Sequence, residues 1–66
     1  MTTMFEYVDA VGISPVSIED AIQKAVEGIS QTRQISWFEV TSFRGRVIQP
    51  AGELEFQVTV RFGCKG

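Results

Sequence analysis

The sequence predicts an α+β chain of order β-α-β-β, with one helix packed against a sheet. One segment, Ile18 to Ile29, keeps apolar residues at helical spacing. Three others, one before it and two after it, are strand-like, with side chains alternating at a period of two. The last two are separated only by Pro50-Ala51-Gly52, too short for a crossover, so they form an antiparallel hairpin.

The first strand is Phe5-Glu6-Tyr7-Val8-Asp9-Ala10-Val11-Gly12, with Gly12 read as its end. Ile13-Ser14-Pro15-Val16 follows as a turn. Ser17 is a good N-cap, and Asp20 three residues later approximates a capping box with Asp in place of Glu. Ile18, Ala21, Ile22, Ala25, Val26 and Ile29 then line one face, while Glu19, Asp20, Gln23, Lys24 and Glu27 take the other. The result is an amphipathic helix of about three turns. Ser30-Gln31-Thr32-Arg33 leads to a long strand, Gln34 to Gln49, in which Gly45 is read as a bulge or bend. Glu53 to Cys64 forms the last strand. With no repeat, linker or low-complexity stretch, residues 1–66 read as a single domain.

The hairpin's alternation assigns its two faces. Leu54, Phe56, Val58, Val60 and Phe62 share one face of the last strand and are expected to pack on the helix. Glu53, Glu55, Gln57, Thr59 and Arg61 share the other. In the middle strand Phe38 and Val40 complete the core, which turns Ile35, Trp37, Glu39, Thr41 and Phe43 to the open side, beside Gln57 and Thr59. The assignment assumes that no bulge falls before Trp37.

Sixty-six residues leave only a thin core, since a chain of this size buries roughly 60% of its unfolded surface. Small domains usually add disulfides, a metal or partner subunits. Cys64 is the only cysteine and histidine is absent, which excludes an internal disulfide and a zinc cluster. A homo-oligomer is therefore expected. No apolar run approaches the roughly 20 residues that span a bilayer. Met1-Thr2-Thr3-Met4-Phe5-Glu6 lacks the basic-then-apolar order of a signal peptide, so a soluble, cytoplasmic protein without a membrane partner is expected. A net charge of −2, with six scattered basic residues, argues against a nucleic-acid groove.

Catalysis finds little support. Without histidine no side chain is naturally poised as a base near neutral pH, and an enzyme is not expected. Glu39 and Glu55 can be read as a carboxylate pair on the open face, although solvated or Arg61-paired carboxylates are the more ordinary arrangement. Cys64 has no histidine beside it and does not read as a catalytic thiol. Gly12 and Gly45 match no phosphate loop or dinucleotide fingerprint.

Trp37 stands apart. A large flat π-surface on an uncovered sheet face is either buried by a partner subunit or stacked on a planar ligand. From the residue alone, filling an interface is the simpler reading. Gln57 is either a solvated polar residue or a donor-acceptor pair suited to the edge of a heterocycle. Arg44 is either a surface ion-pair residue or a phosphate contact.

Several stretches together resemble the dodecin family. Trp37-Phe38-Glu39-Val40 is followed by Arg44-Gly45, then by Phe56-Gln57-Val58-Thr59-Val60 and Phe62-Gly63. Val11-Gly12-Ile13-Ser14 is similar to the family's Val-Gly-Thr-Ser turn, and Ile18-Glu19-Asp20-Ala21-Ile22 to its helix start. The likeness runs from about residue 5 to 63 in order and spacing. It implies a three-stranded antiparallel sheet wrapped around one helix and a hollow homo-dodecamer. It also implies paired flavins held between subunits: riboflavin, flavin mononucleotide (FMN) or flavin adenine dinucleotide (FAD). By that resemblance Trp37 stacks on the flavin ring, Gln57 bonds its polar edge and Arg44 helps hold the FMN phosphate. Coenzyme A is a further ligand in some members. The implied role is flavin storage and quenching of flavin photochemistry. Ile13 departs from the family's threonine, and Arg44 and Arg46 with Pro50-Ala51-Gly52 make the hairpin tip locally distinct.

Overall fold

The computed structural model describes residues 4–65. Met1 to Thr3, part of the segment read for a signal peptide, and Gly66 lie outside the described residues. Strand β1 spans Phe5–Ser14, helix α1 Ile18–Ser30, β2 Ile35–Ile48 and β3 Glu53–Lys65. The three strands form one antiparallel sheet in the order β1-β3-β2, with α1 lying across one face. The predicted β-α-β-β architecture and its hairpin are therefore present.

The helix begins as its sequence indicates, with one change of partner. Ser17 Oγ accepts the Asp20 backbone N–H at 2.9 Å, satisfying one of the free donors of the first turn. Asp20 does not close the box on Ser17. Its carboxylate instead accepts the hydroxyl of buried Ser14 at 2.5 Å, and Ser14 Oγ accepts the Val16 N–H at 3.0 Å. These bonds fix the β1–α1 turn without leaving Ser14 unsatisfied.

Gly12 does not end β1, which runs on to Ser14. It marks where the helix crosses the strand: a Cβ at Gly12 would overlap the Ala21 carbonyl. Ala21 and Ala25 are the two buried residues of α1, and their small side chains permit this close approach. Val58, Val60, Phe62 and Cys64 of β3 complete the buried core. Ile18, Ile22, Val26 and Ile29 pack around it from the helix, with Val8, Ala10, Ile35 and Val40 from the sheet.

Two irregularities in β2 change the predicted faces. The register shifts between Ile35 and Trp37 and again between Val40 and Ser42, so Ser36 and Thr41 are the extra residues. Ile35 pairs with Cys64 and Phe43 with Val58, which puts both on the helix side rather than beside Trp37. Thr41 is bulged out of the alternation, and its hydroxyl bonds the Thr59 carbonyl at 3.2 Å. Gly45, read as the bulge, pairs regularly with Phe56.

The helix is too short to back the whole hairpin. Its 13 residues span about 20 Å, whereas the 14 residues of β2 reach about 46 Å. The long extent is 56 Å, and the radius of gyration of 14.0 Å exceeds the roughly 11 Å of a compact chain this long. Leu54, predicted to lie beneath the helix, is 53% exposed beside its cross-strand neighbour Val47. Together with Phe43 and Phe56 they line a groove of about 320 Å³ past the end of α1. No helix among the described residues is long and apolar enough to cross a membrane.

Candidate functional site

The sheet face opposite α1 carries the predicted site residues in cross-strand rows. One row joins Tyr7, Gly63 and Trp37; the next Asp9, Arg61 and Glu39. Val11, Thr59 and Ser42 follow, and then Ile13, Gln57 and Arg44. Trp37 lies on this open face as expected, although a bulge does fall before it: pairing is regular from Trp37 to Val40, so Phe38 and Val40 still fix its face. The Thr41 bulge has a further consequence. It shifts the alternation so that Arg44 faces the same side as Gln57, which unbroken pairing would not allow.

At the first row the indole of Trp37 lies across Gly63, where a Cβ would collide with Cε2 and Nε1. Glycine in the middle of a strand is here the condition for the tryptophan to lie against the sheet. Trp37 remains 41% exposed. Tyr7 meets it from β1 in an edge-to-face arrangement, with ring centroids 5.7 Å apart and planes at 77°.

The Gln57 end is a hydrogen-bonded ladder. Arg44 Nε donates to Gln57 Oε1 at 3.2 Å, and Gln57 Nε2 donates to Glu55 Oε1 at 3.3 Å. Arg46 Nε donates to the same Glu55 oxygen at 2.7 Å. The ladder sets the direction of the Gln57 amide, while each amide atom retains capacity for one more bond. The hydrogen bonds from Gln57 and then Arg46 hold the Glu55 carboxyl below its ordinary range. A cavity of about 270 Å³ lies alongside, lined by Val11, Ser42, Arg44, Gln57 and Thr59.

Arg44 and Gln57 are thus brought together, but Trp37 is not brought to them. Six residues along β3 separate Gly63, beneath Trp37, from Gln57, a distance of about 20 Å. Glu39 and Glu55 are likewise apart: Glu39 lies opposite Arg61, and Glu55 pairs with Arg46. Arg61 forms its own fork with Asp9, Nε to Oδ1 at 3.0 Å and Nη2 to Oδ2 at 3.4 Å. That contact lowers the Asp9 pKa and raises that of Arg61. Cys64 is buried in the core beneath the other face. Among the described residues no group of His, Cys, Asp or Glu is placed to hold a metal ion.

Sequence reasoning did not assign Tyr7 or Gly63 to this site, and it read Glu55 on this face only as a solvated, Arg61-paired or Glu39-paired carboxylate. An interior strand glycine next to a tryptophan-bearing strand was the available signal for Gly63. Tyr7 had none, because the pairing of β1 with β3 was not derivable from alternation alone.

Residues 4–65 match the family model for Dodecin. A dodecin from Streptomyces coelicolor superposes with a TM-score of 0.87 at 33% identity, covering 97% of this chain and 91% of that one. A dodecin from Streptomyces davaonensis gives 0.89 at 30% identity, with 100% and 97% covered. The tt0972 protein from Thermus thermophilus gives 0.88 at 35% identity, with 98% and 96% covered. A search of curated proteins finds no match.

Proposed function

The chain belongs to the dodecin family, and from that premise we propose that it stores flavin and quenches its photochemistry. The ligand, FMN or riboflavin, is held between subunits of a homo-dodecameric shell. The observation that carries this reading is the open sheet face. It presents a half-exposed indole at one end and an amide flanked by a guanidinium at the other. An electron-rich indole stacks favourably on an electron-poor isoalloxazine, by about 1–3 kcal/mol on the analogy of base–aromatic contacts. Electron transfer across that contact quenches the excited flavin.

The roughly 20 Å between Trp37 and Gln57 is longer than one isoalloxazine. A flavin touching both therefore takes Trp37 from one subunit and Gln57 from another. Shared sites of this kind also suit a protomer whose large exposed apolar residues, Phe43, Val47 and Leu54 among them, outnumber its buried ones. Arg44, beside Gln57, supplies the charge for an FMN phosphate.

The test is a flavin fluorescence titration combined with mass measurement on size exclusion. The wild-type protein quenches added FMN and elutes as twelve chains. Arg44→Ala weakens FMN more than riboflavin. A protein that leaves flavin fluorescence unchanged contradicts the flavin reading, and equal effects of Arg44→Ala on both ligands remove Arg44 from phosphate binding.

A further inference from the structure

We propose that Tyr7 is a positioning residue for Trp37, holding the indole in place across Gly63. Where ligand affinity is concerned this rests on the flavin reading; the placement of the indole does not. Gly63 gives the indole a floor without a side chain. A floor does not stop the ring from swinging about its two side-chain torsions, and β2 is an edge strand of the described sheet. The lateral contact comes from the opposite edge strand. Tyr7 shares the row of Gly63 and Trp37 and meets the indole edge-to-face at 5.7 Å.

Tyr7 is itself restrained. The Arg61 guanidinium lies 5.3 Å from the centroid of its ring, a cation–π distance. Arg61 is in turn fixed by its two bonds to Asp9. Asp9, Arg61, Tyr7 and Trp37 thus form a chain of contacts across two rows of the sheet, ending on the indole. The contact uses the aromatic ring, so phenylalanine at this position should serve and an aliphatic residue should not.

The chain has one tryptophan, so the near-ultraviolet circular dichroism of the indole reports this placement without a ligand. In the flavin-free protein, Tyr7→Leu loses most of the indole bands, while Tyr7→Phe retains them. In riboflavin titrations Tyr7→Leu weakens binding by roughly five-fold, within the range of one aromatic pair, and Tyr7→Phe restores it. Should Tyr7→Leu not fold, Tyr7→Thr, with its strand propensity, takes its place. Indole bands unchanged in the aliphatic variant, or lost equally in Tyr7→Phe, overturn the proposal. If the wild-type protein binds no riboflavin, the flavin reading alone fails, and the dichroism still decides the role of Tyr7.

Discussion

The base and the tip of the β2–β3 hairpin follow the same alternation of apolar and polar residues but end in different environments. At the base, Val58, Val60 and Phe62 are almost completely buried beneath α1. At the tip, Val47 and Leu54 point to the same side and are more than half exposed, as is Phe43 on β2, directly opposite buried Val58. Along the hairpin the difference comes from length, since a helix rises about 1.5 Å per residue and a strand about 3.3 Å. Across it, α1 packs mainly on β1 and β3 and leaves β2 less covered, so Phe38, expected in the core, is 49% exposed opposite buried Phe62. Binary pattern states which face is apolar, and it does not state what covers that face. Within the chain α1 covers β3 at the base; the tip and the β2 residues Phe38 and Phe43 are left largely uncovered by the described residues.

The largest expected effect is at the base. Gly12→Val places side-chain atoms into the Ala21 carbonyl, forcing helix and strand apart at a cost of about 3 kcal/mol or more. Urea denaturation at fixed chain concentration measures it, and a midpoint equal to wild type would show that the crossing tolerates a side chain. Next in size is the uncovered part of the hairpin, tested on β2. Phe43→Ser removes an apolar group that is 66% exposed in the protomer, so helix content should be unchanged. Under the proposed assembly the same substitution shifts the size-exclusion mass to smaller species. An unaltered mass would mean that no subunit covers this part of the hairpin.

The smallest effect concerns the ladder at the tip. Hydrogen bonds from Gln57 and Arg46 hold the Glu55 carboxyl below its ordinary value of 4.5. A depressed carboxylate pKa means that the contribution is complete above the unfolded value and is lost as pH falls through the lower folded value. Because the ionised Glu55 carboxylate anchors the Gln57 amide, flavin affinity should stay flat from neutrality to about pH 5 and weaken, by at most about three-fold, only below the ordinary Glu55 value. Titrations across that range check it, and a decline already near pH 6 would place the responsible group elsewhere.

The same contrast explains what was legible in the sequence. The helix, its Ser17 cap and the hairpin follow from spacing and turn residues, and all are present. Trp37 falls on the open face because Phe38 and Val40, which anchor that assignment, lie in the regular stretch between the two bulges. Ile35 and Phe43 lie beyond the bulges and reverse. Neither Ser36 nor Thr41 differs in kind from its neighbours, whereas Gly45 resembles a bulge residue and pairs regularly. A one-residue insertion is invisible to alternation, yet it reverses every side chain after it. Arg44 reached the candidate site through the family resemblance, and the Thr41 bulge is the physical reason it faces Gln57. Tyr7 was out of reach because its contact spans the sheet from β1 to β2.

The most direct test of the account is the Trp37→Ala variant, measured for quenching of FMN fluorescence and for size-exclusion mass on the same sample. A stacking platform predicts that quenching disappears while the mass stays that of the wild-type assembly. Quenching that survives the substitution, or an assembly that falls apart with it, would instead make Trp37 an interface residue and contradict the account.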